Sequence, residues 1–227
     1  VDQYWEGDQF VITLKGKMRE AKAMAENVSL TRTVETRMGW KKFILKDLVY
    51  NHGFEPQPLL MLYHFNFGFP LLSPSAQIVG PVEKTEPRDQ QAEKDRGVEQ
   101  CMEVPEPVRG YQEKVFFHTL KAGEDGSTFM GLVNPKTQGK ALGVVLRFNL
   151  NQLPCLTEWK MPRKGFYVLG LEPGTAPPLG RGVLREQGKL PFLDAQSSYP
   201  IDIEFEVLKS EKEIDSLLKE RDRVLKQ

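Results

Sequence analysis

The chain has 227 residues, and its 31 basic side chains are matched by 31 acidic ones. Zero net charge gives no electrostatic reason to bind nucleic acid or an anionic membrane, and no apolar stretch approaches the length of a membrane span. The length suits one all-β domain or two small ones, with enough chain to bury a core. Cys101 and Cys155 are the two cysteines. They lie far apart and outside any C-x-x-C spacing, so the pattern supports neither a zinc site nor a redox motif, and the expectation is no metal and no cofactor. Both read as reduced thiols of a cytoplasmic protein. No signal peptide is visible.

In chain order, Gln9 to Lys15 alternates Phe10, Ile12 and Leu14 against Gln9, Val11 and Thr13, which predicts a strand. Lys17 to Met24 fits either a further strand or a short helix. Asn27 to Thr36 alternates again, with Val28, Leu30, Arg32 and Val34 on one face. An arginine on that apolar face is either paired in the core or reaching into a cavity. Met38-Gly39 makes a turn, and Lys42 to Tyr50 continues the meander. Strands of this length joined by tight turns predict an antiparallel sheet sandwich rather than a βαβ fold.

Apolar periodicity lapses from Glu83 to Gln100. Residues 81–109 are therefore expected to form a mobile surface excursion, with a helical turn around Asp89 to Asp95. Gly110 to Lys121, Phe129 to Asn134 and Ala141 to Asn149 read as strands, with a hairpin turn at Glu124-Asp125-Gly126. Phe166 to Glu172 is an apolar strand stopped by Pro173-Gly174. Ala176 to Lys189 reads as a Gly/Pro-rich loop, and Tyr199 to Leu208 as a last strand in strict alternation. Ser210 to Lys226 reads as a helix with Ser210 as N-cap and Glu213 completing a capping box. Its apolar stripe is Ile214, Leu217, Leu218, Arg221 and Leu225.

The most informative stretch is Asn51 to Pro74, which holds His52 and His64, two of the three histidines. Its apolar run Leu59 to Tyr63 is fenced by Pro56 and Pro58 before and by Gly68 and Pro70 after, and reads as a buried strand. His64 then stands at a strand mouth, with Asn66 two residues on. Such polar groups need partners, from a neighbour in the core or from a pocket.

L-M-L-Y-H-F-N-F-G-F-P-L-L, which contains His64, resembles a segment of the aldose 1-epimerase-like family of the galactose mutarotase-like superfamily. Y-V-L-G-L-E-P-G-T, Tyr167 to Thr175, resembles the family's second signature, a strand ending in a glutamate. Y-Q-E-K-V-F-F-H around His118 and L-P-x-L-x-E-W-K around Trp159 and Lys160 resemble further family segments. The likeness is nearest to the DUF4432-type branch and covers nearly all of the chain, so no particular sugar comes with it. It implies a single large β-sandwich of the galactose mutarotase type with a C-terminal helix. Family members are longer at the amino end and carry an L-H-G-type histidine there, so this chain is expected to lack the family's N-terminal part.

The resemblance also implies a chemistry. Mutarotation needs one group to take the proton of the anomeric hydroxyl and another to protonate the ring oxygen. Glu172 would be the base and His64 the acid, with a small-molecule sugar as partner and a homodimer left open. His118, Lys160, Asn66, Trp159 and Arg32 would contact the sugar; each also reads as ordinary packing or a solvated charge. Other chemistries lack their motifs: there is no G-x-S-x-G elbow, no H-E-x-x-H and no EF-hand loop. The competing function class is a carbohydrate-binding protein on the same fold without turnover.

Overall fold

A computed structural model describes all 227 residues. In chain order the strands are β1 (Asp2–Glu6), β2 (Gln9–Ala21), β3 (Asn27–Arg37), β4 (Lys42–Asn51), β5 (Gln57–Pro58), β6 (Phe65–Phe67), β7 (Gln77–Val79) and β8 (Val82–Pro87). After the short helix α1 (Gln90–Glu93) come β9 (Lys114–Leu120), β10 (Ser127–Thr137), β11 (Lys140–Asn149), β12 (Cys155–Arg163) and β13 (Phe166–Gly174). Helix α2 (Arg181–Glu186), β14 (Phe192–Leu193), β15 (Ser198–Leu208) and the C-terminal helix α3 (Glu211–Leu225) complete the order.

Two sheets pack face to face. The larger has eight strands in the order β1-β2-β3-β4-β15-β11-β10-β7, and the smaller has five in the order β6-β13-β12-β9-β8. The strands pair antiparallel throughout. Alternation aims one set of side chains from each sheet at the other. Leu45, Met130, Leu132, Leu146, Ile201 and Ile203 from the larger sheet meet Phe67, Leu156, Leu169 and Leu171 from the smaller in one core cluster. Phe65 and Phe67 stack on Phe205 across the gap, with centroids 6.1 and 6.4 Å away.

The expected helix forms, and its caps show why it starts where it does. Ser210 Oγ accepts from the Glu213 N–H, while Glu213 Oε2 accepts from the Lys209 N–H at 2.6 Å. Ile214 and Leu217 of α3 cover Val79, Phe129, Val133, Val145 and Leu208, the outward face of the larger sheet. The fold is therefore the mainly β, antiparallel sandwich with a C-terminal helix that the alternation predicts.

Four local expectations change. β2 runs unbroken through Gly16 to Ala21, so the ambiguous segment Lys17 to Met24 is strand as far as Ala21 and turn beyond it. Leu59 to Tyr63 is buried at both ends but leaves the ladder. Its amides donate to Pro191 O, Thr175 Oγ1 and Pro173 O, so it lies along the end of β13 instead of within a sheet. The excursion at 81–109 begins with an edge strand, β8, whose polar residues and Pro87 suit an edge and hide its periodicity. Past Asp89, which caps α1, Ala92 and Cys101 pack on Phe116, so this segment is folded onto the smaller sheet. The Gly/Pro-rich loop after β13 contains α2.

Candidate active site

The smaller sheet has a face turned away from the core, and parity decides what it carries. Leu169 and Leu171 of β13 point inward, so Gly170 and Glu172 point outward. The register places Trp159 opposite Gly170, Thr157 opposite Glu172, and Asn66 of β6 opposite Gly170 on its other side. His64 enters just before β6, held there because the Tyr63 N–H bonds Pro173 O, next to Glu172. His64 Nε2 lies 2.9 Å from Glu172 Oε1.

That contact is close but off-axis: Glu172 Oε1 is buried and accepts no aligned hydrogen bond. Burial raises the Glu172 carboxyl to about 7, and the negative charge of Glu113 adds to the rise. The His64 side chain is 43% exposed and that of Glu172 only 4%, so the imidazole is the open member of the pair. Trp159 meets the His64 ring edge-on at 5.5 Å, and the half-exposed Phe166 ring follows at 6.3 Å. The indole is fixed by its Nε1–H, which donates to Glu113 Oε2 at 2.7 Å, and Glu113 is held in turn by Arg88.

Gly170 and Glu113 shape this face and are positions that the sequence reading missed. A Cβ on Gly170 would lie 2.6 Å from Glu172 Oε1 and 3.2 Å from His64 Cε1. The absence of a side chain there is what lets His64 and Glu172 approach. Its signal was present: Gly170 precedes Glu172 by two in a strand and must share its face. Glu113 had no such signal, because only the β9–β12 register brings it to Trp159.

Of the residues expected at a sugar site, the structure brings Glu172, His64, Trp159 and the exposed Asn66 to one face. It does not bring His118 or Lys160 there. Both are buried on the opposite, inward face, since Lys160 pairs with Leu169 and His118 with Leu156. Lys160 Nζ donates to the carbonyls of Gln100 and Cys101, and His118 Nε2 is bonded to Glu158. Arg32 is also engaged elsewhere. Its guanidinium forms a two-point pair with Asp47 at 2.8 and 2.6 Å, and Asp47 also accepts from the Tyr63 hydroxyl at 2.7 Å. This trio, in which Asp47 and Tyr63 are buried, anchors the residue before His64 and so helps to aim it. His52 is occupied by Ser29 at 2.8 Å. A cavity of about 480 Å³ lies on the inward side under the excursion and is lined by neither Glu172 nor His64.

Residues 1–207 match the family described as a domain of unknown function, DUF4432. The chain belongs to the DUF4432 family. Among solved structures, this DUF4432 chain is similar to a candidate aldose 1-epimerase from Klebsiella pneumoniae at 25% identity and a TM-score of 0.88, covering 95% of this chain and 56% of that one. It thus spans little more than half the length of that relative. A galactose mutarotase-like protein from Clostridium acetobutylicum shares the fold at 15% identity and a TM-score of 0.60, covering 92% and 65%. A candidate aldose 1-epimerase from Escherichia coli K12 does so at 16% and 0.54, covering 91% and 68%. No curated protein matches the sequence. The DUF4432 chain has no helix long and apolar enough to cross a membrane.

Proposed function

We propose that this DUF4432 protein is an aldose 1-epimerase-like isomerase that interconverts the anomers of a free or modified hexose. The observation that carries the reading is the Glu172–His64 pair: a carboxyl raised to about 7, 2.9 Å from an exposed imidazole, on an open aromatic-edged face. A general base works best when its pKa lies near the working pH. The two sugar oxygens that exchange protons are bonded to one carbon, so an acid and base that nearly touch are suitably spaced to serve both.

In the forward direction Glu172 removes the proton from the anomeric O1–H. The C1–O1 bond becomes a carbonyl, the C1–O5 bond breaks, and its electron pair takes a proton from His64 Nε2–H. The open chain then turns about C1–C2 to present the other face of the aldehyde. Ring closure reverses the transfers: His64 recovers the O5 proton and Glu172 returns its proton to O1. No electrons leave the sugar, and the enzyme ends as it began. Trp159 and Phe166 offer a flat apolar surface to a pyranose, and Asn66 offers an amide to its hydroxyls.

The test is polarimetric or NMR mutarotation over a panel of aldoses, with the full-length protein. Acceleration of one sugar above the buffer rate, lost in Glu172→Gln, supports the reading. Saturable sugar binding with no acceleration across the panel would instead leave a carbohydrate-binding role.

A further inference from the structure

Beneath the smaller sheet lies a second cluster that the isomerase chemistry does not use. Cys101 of the excursion, His118 of β9 and Glu158 of β12 are all buried, with one donor atom from each within 4.8 Å of the others. His118 and Glu158 lie on adjacent strands and share the inward face, diagonal to one another in the β9–β12 register. Cys101 comes to them from the segment between α1 and β9, where it packs on Phe116 of β9. His118 Nε2 and Glu158 Oε2 are 2.9 Å apart, and both side chains are wholly shielded from solvent.

Two further features point to a ligand. Glu158 Oε1 is fully buried and has no hydrogen-bond partner, an expensive condition for a carboxylate oxygen. His118 Nδ1 is 2.8 Å from Thr85 Oγ1, so the ring is oriented by its other nitrogen, as metal-bound histidines usually are. The loop bearing Cys101 is tied down separately, since Lys160 Nζ donates to the carbonyls of Gln100 and Cys101 at 2.8 and 2.7 Å. That ammonium is the competing cation in this region, but its hydrogen bonds go to those carbonyls and leave Glu158 Oε1 unpaired.

We propose that Cys101, His118 and Glu158 form a zinc(II) site that staples the excursion to the five-stranded sheet. One thiolate, one imidazole and one carboxylate are a donor set that suits this borderline ion better than the hard cations calcium or magnesium. A tetrahedral zinc holds its donors roughly 3 to 4 Å apart, so side-chain rotations of about an ångström close the cluster around it. Binding releases the Cys101 proton, the imidazole binds as the neutral ring through Nε2, and Nδ1–H donates to Thr85. The C-x-x-C criterion could not detect such a site, because its ligands come from a loop and two strands.

The experiment is metal analysis of protein purified without chelator, followed by titration of the demetallated protein with zinc chloride and, separately, cobalt(II) chloride. The expected result is roughly one zinc per chain, a thiolate-to-cobalt charge-transfer band, and a thermal midpoint that rises with zinc. Cys101→Ser, which barely changes shape, should abolish the band and weaken zinc binding at least about 10-fold, and Glu158→Gln should weaken it comparably. Folded wild-type protein that takes up no stoichiometric zinc and shows no band overturns the proposal. So does zinc binding that Cys101→Ser leaves unchanged.

Discussion

Glu172 and Glu158 sit on neighbouring strands, and each has a histidine nitrogen at 2.9 Å and an Oε1 without an aligned hydrogen bond. They differ in which side of the sheet they face. Glu158 and His118 are sealed between the sheets and the excursion, with Thr85 behind the ring. Glu172 faces outward, and its histidine is 43% exposed. The same two side chains therefore serve different ends. On the inward face the pair has no route to a solvent-borne sugar, so its place is in holding structure together. On the outward face the histidine can exchange protons with a bound molecule, while the carboxyl keeps the raised affinity for protons that burial confers.

The sharpest way to test that contrast is to neutralise the outward carboxylate. Glu172→Gln is nearly isosteric but cannot accept the anomeric proton, so kcat should fall by about 10² to 10⁴-fold with KM little changed. Stability should move the other way. The folded carboxyl ionises at about 7 against an ordinary 4.5. As pH rises between those values the unfolded chain ionises and the folded one resists, so the wild type loses stability, at most about 3 kcal/mol, and does not recover it above 7. Glutamine carries no such penalty. The variant should gain several degrees of midpoint on the wild type in going from pH 4 to pH 8. A difference in midpoint that does not vary with pH would show that Glu172 is not desolvated as the geometry implies.

The inward carboxylate should respond with the opposite sign. Glu158→Ala strips His118 Nε2 of its partner in a site closed to water and leaves a cavity, so it should cost about 3 kcal/mol. Urea unfolding at pH 7 measures this directly. An alanine variant as stable as the wild type would mean that the inward cluster does not hold the sheet and the excursion together.

How much of this contrast the sequence carried can be judged from Glu158, Trp159 and Lys160. The sandwich was legible from the alternation around them, while their own segment was read only as a family-like pattern and proves to be β12. Alternation alone also forbids Trp159 and Lys160 from facing one sugar, because consecutive strand residues point to opposite faces. The family-like spacing nonetheless placed both at the site, along with His118, which the register puts inward. What the sequence lacked was the register between distant strands and knowledge of which face of each was the core. Arg32 shows the same limit: its place on an apolar face was visible, but its partner Asp47 depends on the β3–β4 register. The Leu59–Tyr63 run failed for a different reason. Burial without periodicity fits an irregular segment as well as a strand when side chains and a strand end satisfy its amides.

A smaller effect is expected from filling the gap between acid and base. Gly170→Ala sets a Cβ 2.6 Å from Glu172 Oε1, and Trp159 Cβ at 3.2 Å blocks retreat to the other side. A strand interior otherwise favours alanine over glycine, so the fold should tolerate the change while the carboxylate is pushed off line. A misplacement on that scale should lower kcat by about 10-fold or more. Undiminished turnover in Gly170→Ala would argue that the two groups do not act from their observed positions.

The smallest predicted effect is the most specific to the outward face. Glu113 touches neither His64 nor Glu172 through a hydrogen bond, yet its charge is the second cause, after burial, of the raised Glu172 carboxyl. Its own carboxylate is held below the usual range by the Trp159 indole and by Arg88. Glu113→Gln removes that charge but keeps a carbonyl that can accept from Trp159 Nε1, so the aromatic wall should stay in place. Arg88 keeps its pair with Asp89 but loses the charge of Glu113, which adds to the positive field. Both changes favour ionised Glu172 and lower its pKa. The ascending limb of the kcat/KM–pH profile, which reports the free enzyme's base, should therefore move to lower pH by a fraction of a pH unit. The plateau above it should fall slightly, because a weaker base accepts the anomeric proton less readily. A limb that stays fixed, or one that moves to higher pH, would show that Glu113 acts only through the position of Trp159 and not through its charge.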